Sequence, residues 1–171
     1  MERKKKVMTA EQIFFGLKDT NLVIIPVGHI TATLCPELKT RLQELLGPDS
    51  NLSSLRFDFS DCLYMDSTFL GLIVYLAKTA HNLGIGQPVV HRANAQCMSL
   101  FRTMGMTKML EFSDESCPEP AEKTELAAQE ALSVSFLLDA HKELSMLSAE
   151  NEERFRSLTS ALADDSQNQD D

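Results

Sequence analysis

Apolar residues fall in short blocks with polar punctuation over the first 112 positions. Residues 13–17 and 22–27 are apolar runs joined by Lys18-Asp19-Thr20-Asn21, good turn chemistry, and predict a β-hairpin. Gly28 ends the second run. Pro36 suits a first helical turn, and Leu38, Leu42, Leu45 and Leu46 follow at helical spacing until Gly47-Pro48 stops the helix. Leu55-Arg56-Phe57-Asp58-Phe59 alternates with period two, as a half-buried strand does. After an apolar stretch at 63–65, Leu70, Ile73, Val74, Leu76, Ala77, Ala80 and Leu83 trace a long helix with Gly84 as its C-terminal cap. Residues 85–90 predict a strand whose Pro88, lacking an N–H, marks an edge or an irregular end. Asn94 caps a helix to Met104, with Gly105 just past it, and 109–112 is a last short strand. The order ββαβαβαβ predicts an α/β domain, a mixed sheet covered on at least one face by helices.

The pattern breaks at Ser113-Asp114-Glu115-Ser116-Cys117-Pro118-Glu119-Pro120, polar, acidic and twice interrupted by proline. This divides the chain into a flexible basic N-terminus at 1–10, a domain at 11–112 and a linker at 113–120. A helical extension at 121–163 and a disordered acidic tail at 164–171 follow. Leu126, Leu137, Leu144 and Leu147 fall near one stripe of a helix of about 25 residues, and Phe155, Leu158 and Leu162 make a second stripe after Ser148. Such stripes must bury against the first domain, against each other as a hairpin, or against a second copy in a homodimer.

The net charge of −9 is unevenly spread: residues 1–112 carry +2 and residues 113–171 carry −11. Cations cluster only in the first six positions, so the body offers no nucleic-acid surface. No apolar run reaches the ~18 residues of a membrane span, and no signal peptide is evident. Cys35, Cys62, Cys97 and Cys117 lie far apart, as do the four histidines, so neither a metal site nor a disulfide framework is expected. Reduced thiols place the chain in the cytoplasm. No cofactor is implied.

One stretch carries chemistry. Met65-Asp66-Ser67-Thr68-Phe69-Leu70-Gly71 leads from a strand and loop into the apolar helix. At minimum Asp66 is an N-cap, with Ser67 and Thr68 in the first turn. A hydroxyl in that position also lies beside unpaired N–H groups at the positive end of the helix dipole. A phosphate there would be tolerated by the fold yet could expel a partner matched to the neutral hydroxyl.

Met65-Asp66-Ser67-Thr68-x-Leu70-Gly71, the turn at Leu83-Gly84, and Met98-Ser99-Leu100-Phe101-Arg102-Thr103-Met104-Gly105-Met106, at these spacings, make residues 11–112 resemble a STAS domain of the bacterial anti-sigma factor antagonist type. The resemblance implies a STAS fold and a regulatory role in transcription. Such antagonists bind a serine-kinase anti-sigma factor and free its sigma factor. ATP-dependent phosphorylation of a serine ends the interaction, and a serine phosphatase restores it. By position the acceptor is Ser67, and Asp66, Thr68, Phe69, Gly28 and Thr31 join it in the partner-binding set. Two departures stand out. Phe69 replaces the usual glycine, and Gly28-His29-Ile30-Thr31 carries Thr31 where the family commonly has an acidic residue.

Two rival functions have recognisable signatures. An enzyme would need a phosphate loop, a nucleophile elbow or an acid–base pair, and none is present. Asp58, Asp61 and Asp66 suggest only a distant likeness to a receiver's acidic pocket, and Asp58 alternates with Phe57 and Phe59 on a strand. The other rival is a STAS scaffold that is never phosphorylated, an adaptor in a signalling assembly or a lipid-transport complex. Phe69 and Thr31 suit that role equally well.

Overall fold

The computed structural model describes residues 11–129 and 131–169. The expected flexible N-terminus at 1–10 and the last two residues of the acidic tail lie outside them. Strands β1 (Gln12–Lys18) and β2 (Asn21–Ile30) form the expected antiparallel hairpin. Asp19 takes a positive φ of 54° in its turn, a conformation Asp tolerates better than most residues. A 3-10 turn at Ala32–Leu34 leads into α1 (Cys35–Leu45), with Pro36 in its first turn. Next come β3 (Ser54–Asp58), β4 (Cys62–Met65), α2 (Ser67–Asn82), β5 (Val89–His91), α3 (Ala95–Thr103) and β6 (Glu111–Ser113). A two-residue strand β7 (Thr124–Glu125) and the helices α4 (Val134–Ser145) and α5 (Ala149–Gln169) complete the chain.

The sheet runs β6-β5-β3-β2-β1-β7, with β4 also paired to β2. Strands β2, β3, β5 and β6 are parallel, and β1 and β7 are antiparallel to their neighbours. β2 carries two partners along one edge. It pairs with β3 up to Ile24, then with β4 from Gly28, across an irregularity between Gly28 and His29. Pro26 falls between the two pairings, where a missing N–H leaves no ladder bond broken.

Ile13, Leu22, Ile24, Leu55, Phe57 and Val90 turn one sheet face toward Leu38, Leu42, Leu70, Ile73, Val74, Ala77 and Phe101 of the helices. Alternation sends Val23, Arg56, Asp58, Val89 and His91 to the opposite face. That face is crossed by the segment between β6 and β7, which joins opposite edges of the sheet. Glu115 accepts a bond from His91 Nδ1 (3.1 Å), Cys117 lies in the field of Arg56 and Asp58, and Glu122 and Pro120 press on Gly16. Val23 is therefore fully buried although it lies outside the main core. The stretch read from composition as a linker is thus an ordered strap, because it covers apolar sheet surface that no helix reaches.

The extension also departs from its expected form. Leu126 is not on a helix. Its N–H donates to Ile13 O (2.9 Å), prolonging the edge pairing of β7. The helix starts only after Ser133, whose hydroxyl caps Phe136 N. α4 and α5 form a hairpin packed on α2 and on the end of α3. Asn151 ties it down: its buried amide donates to Leu144 O and to Met104 O, both at 2.9 Å. α5 continues to Gln169, through residues whose composition reads as disordered. Adding turns to a helix already anchored by Phe155 costs far less than nucleating one.

Candidate functional site

The end of β2 and the start of α2 are locked together by one carboxylate. Asp66 Oδ1 accepts from Phe69 N (3.0 Å), the N-cap bond the sequence predicts. Its other oxygen accepts from Ala32 N (2.9 Å) in the 3-10 turn, while Asp66 N donates to Ile30 O. Burial pushes the Asp66 carboxyl above its usual value, and the N–H bonds from Phe69, Ala32 and Thr68 pull the other way.

Thr31 lies on the same turn. Its N–H and its hydroxyl both donate to Glu11 Oε1, at 2.6 and 2.7 Å. A carboxylate therefore occupies the turn although residue 31 is a threonine, supplied by the chain just before β1. No local pattern signals this, since Glu11 and Thr31 meet only when β1 pairs with β2.

Ser67 begins α2 and is half-buried. Its hydroxyl lies 2.8 Å from Nε2 of His141 on α4. His141 Nδ1 lies 2.7 Å from Leu137 O, a group that only accepts, so Nδ1 carries a proton, and in the neutral imidazole Nε2 accepts from Ser67. The imidazole is 4% exposed and meets the edge of Phe155 at 5.5 Å. One turn further along α2, Gly71 meets the α4 backbone: a Cβ there would lie 2.1 Å from Ala140 O. Lys78 closes the contact with an ion pair to Glu143.

The structure therefore brings Thr31, Asp66, Ser67 and Thr68 together and turns the Phe69 ring and Gly28 to other tasks. Phe69 is fully buried in the core, so its ring offers nothing to a partner and blocks nothing at the surface. Helical spacing turns it inward beside Leu70 and Ile73. Gly28 has φ +79° and donates to Asp61 O (2.8 Å), so its part is to shape β2 where β4 joins. Thr68 is buried at 4% exposure. Asp58 caps its own turn at Ser60 and Asp61 is exposed, so they form no acidic pocket with Asp66.

His141, Glu11 and Ala140 are the site residues that sequence reasoning missed. His141 lies between Leu137 and Leu144 on the apolar stripe of α4, and a polar group on such a stripe signals a buried partner. Among the described residues no group of side chains is arranged to hold a metal ion, and no helix is long and apolar enough to cross a membrane.

Comparison with known proteins agrees with this architecture. Residues 14–111 match the family model described as Mlab, STAS domain. No curated protein matches the chain. Among solved structures, the unphosphorylated anti-sigma factor antagonist SpoIIAA superposes with a TM-score of 0.52 at 14% identity, over 62% of this chain and 90% of that one. A Thermotoga maritima protein described as an anti-sigma factor antagonist gives 0.52 at 19% identity, over 59% and 85%. The phosphorylated form of SpoIIAA, a Bacillus cell fate determinant, gives 0.50 at 14%, over 62% and 93%. At these identities the likeness is one of fold.

Proposed function

The chain belongs to the STAS domain family, and from that premise we propose that it is a regulatory binding module whose Ser67 face meets a partner protein. In this reading the partner is a serine-kinase anti-sigma factor. Phosphorylation of Ser67 ends the interaction, and a serine phosphatase restores it. The module is a ligand and a substrate of other proteins, not a catalyst, and works in the cytoplasm. The observation that supports this most is the setting of Ser67. Its hydroxyl is at the first position of a 16-residue helix, and the neighbouring carboxylate is committed to backbone N–H groups on two elements. A phosphate there would meet the positive end of the helix without dismantling the cap. Glu11 supports the same reading, because it restores the acidic group that Thr31 lacks.

The adaptor reading has its own support. The Ser67 hydroxyl already has a partner in His141, and the family model bears the description Mlab. Intact mass and phosphopeptide mapping of the protein from its own cells, beside Ser67→Ala, separate the two. A shift of about 80 Da at Ser67 that is lost in the variant is expected. A protein unmodified across growth and stress conditions would overturn the switch and leave the adaptor.

A further inference from the structure

The surface of α2 that carries Ser67 is occupied by the chain's own hairpin. Three contacts spaced along α2 make the fit: the Ser67 hydroxyl on His141, the bare Gly71 backbone against Ala140 O, and Lys78 on Glu143. A fourth lies beside them, where Lys39 of α1 sits over the rings of Tyr75 (4.6 Å) and Phe136 (5.6 Å). Together these describe a helix-receiving face, with a hydroxyl at one end, a groove floored by glycine in the middle and a cation at the other end.

The occupant is attached differently from the rest of the fold. α4 and α5 add no strand to the sheet. Their bonds to the domain are made by side chains, with Asn151 and Arg154 reaching the end of α3 at the Met104 and Thr103 carbonyls and the Met104 Sδ. A helical pair docked on a finished domain can open at lower free energy than the sheet it rests on.

We propose that the α4–α5 hairpin is a built-in competitor for the Ser67 face, so that the resting module is self-masked and an external protein helix binds only when the hairpin leaves. The docked hairpin defines that helix's chemistry. It is amphipathic, with a small residue against Gly71, a hydrogen-bond acceptor against Ser67 and a carboxylate against Lys78. A phosphoryl group on Ser67 has to displace His141 Nε2 from its 2.8 Å contact with the hydroxyl, so phosphorylation works against the docked hairpin. This inference rests on the reading of the Ser67 face as partner-binding.

Hydrogen exchange on the full chain tests it without kinase or partner. Gly71→Ala places a methyl inside Ala140 O, and Ser67→Asp places a charge against His141. Both are expected to raise exchange in α4 and the first turns of α5 by about tenfold or more, while β3 keeps its wild-type protection. His141→Ala, a milder change, is expected to act in the same place to a lesser extent. Wild-type protection of α4 in Gly71→Ala and Ser67→Asp would overturn the proposal. Exchange rising equally in β3 and α4 in all three variants would also overturn it, since the hairpin would then be part of one cooperative unit. A missing phosphate in cells would remove the switch and leave this result standing.

Discussion

Asp66 shows how much one side chain organises. Its two oxygens serve backbone donors on the 3-10 turn and on α2, elements that β3 and β4 separate in sequence. Asparagine keeps one acceptor and turns an NH₂ group on the other N–H. Asp66→Asn is therefore expected to lose about 1–3 kcal/mol at neutral pH in urea unfolding. The pH dependence has a definite sign. Burial holds the folded carboxyl above 3.8, so above that value the folded chain keeps a proton the unfolded chain has lost. The resulting stabilisation is present below 3.8 and is lost as pH rises through the folded pKa. The stability gap between wild type and Asp66→Asn is thus expected to narrow with rising pH, and a widening gap would contradict burial as the dominant influence. Phe69 makes a second case. Phe69→Ala is expected to cost about 3–5 kcal/mol and Phe69→Leu much less. The folded fraction of either would still capture a partner, because the ring is not at the surface.

At the scale of elements, the strap and the hairpin cover different parts of the domain. The strap between β6 and β7 covers a sheet face, whereas the hairpin lies on a helix that carries the candidate switch. At Gly16 the strap lies directly against β1. A Cβ there would stand 2.2 Å from Glu122 O, so Gly16→Ala must displace backbone. A loss of about 1–3 kcal/mol is expected, with faster proteolysis at 114–123. An unchanged variant would mean that the strap contributes little to holding the sheet. The helix boundary at Ser133 is also instructive. Apolar spacing alone extends a helix back to Leu126, but a Ser cap and an available sheet edge end it earlier.

For the whole molecule, the apolar stripe of α4 and Phe155 of α5 find their cover within the same chain. α4 lies on α2, and Phe155 of α5 reaches His141. Light scattering is therefore expected to give the mass of one chain. Met146 and Leu158 are the exposed apolar residues on the hairpin, 68% and 40% accessible. A dimer that survived dilution would place a second copy on them.

The sequence by itself determined most of the elements within residues 11–112, though not β4: the β1–β2 turn, the Asp66 and Asn94 caps, the long apolar α2 and the glycine that ends it. Each of these is fixed by neighbours within about four positions, through hydrogen bonds and spacing a reader can count. It also determined the family, because the Asp66–Gly71 pattern and the 98–106 block recur at set distances. Tertiary structure alone decided what touches Ser67. His141 lies 74 positions away, and Glu11 reaches Thr31 across 20. It likewise decided that Phe69 turns inward and that an acidic, proline-broken stretch is a strap. Contacts between distant segments depend on which faces the packed core leaves free, and no local pattern encodes that.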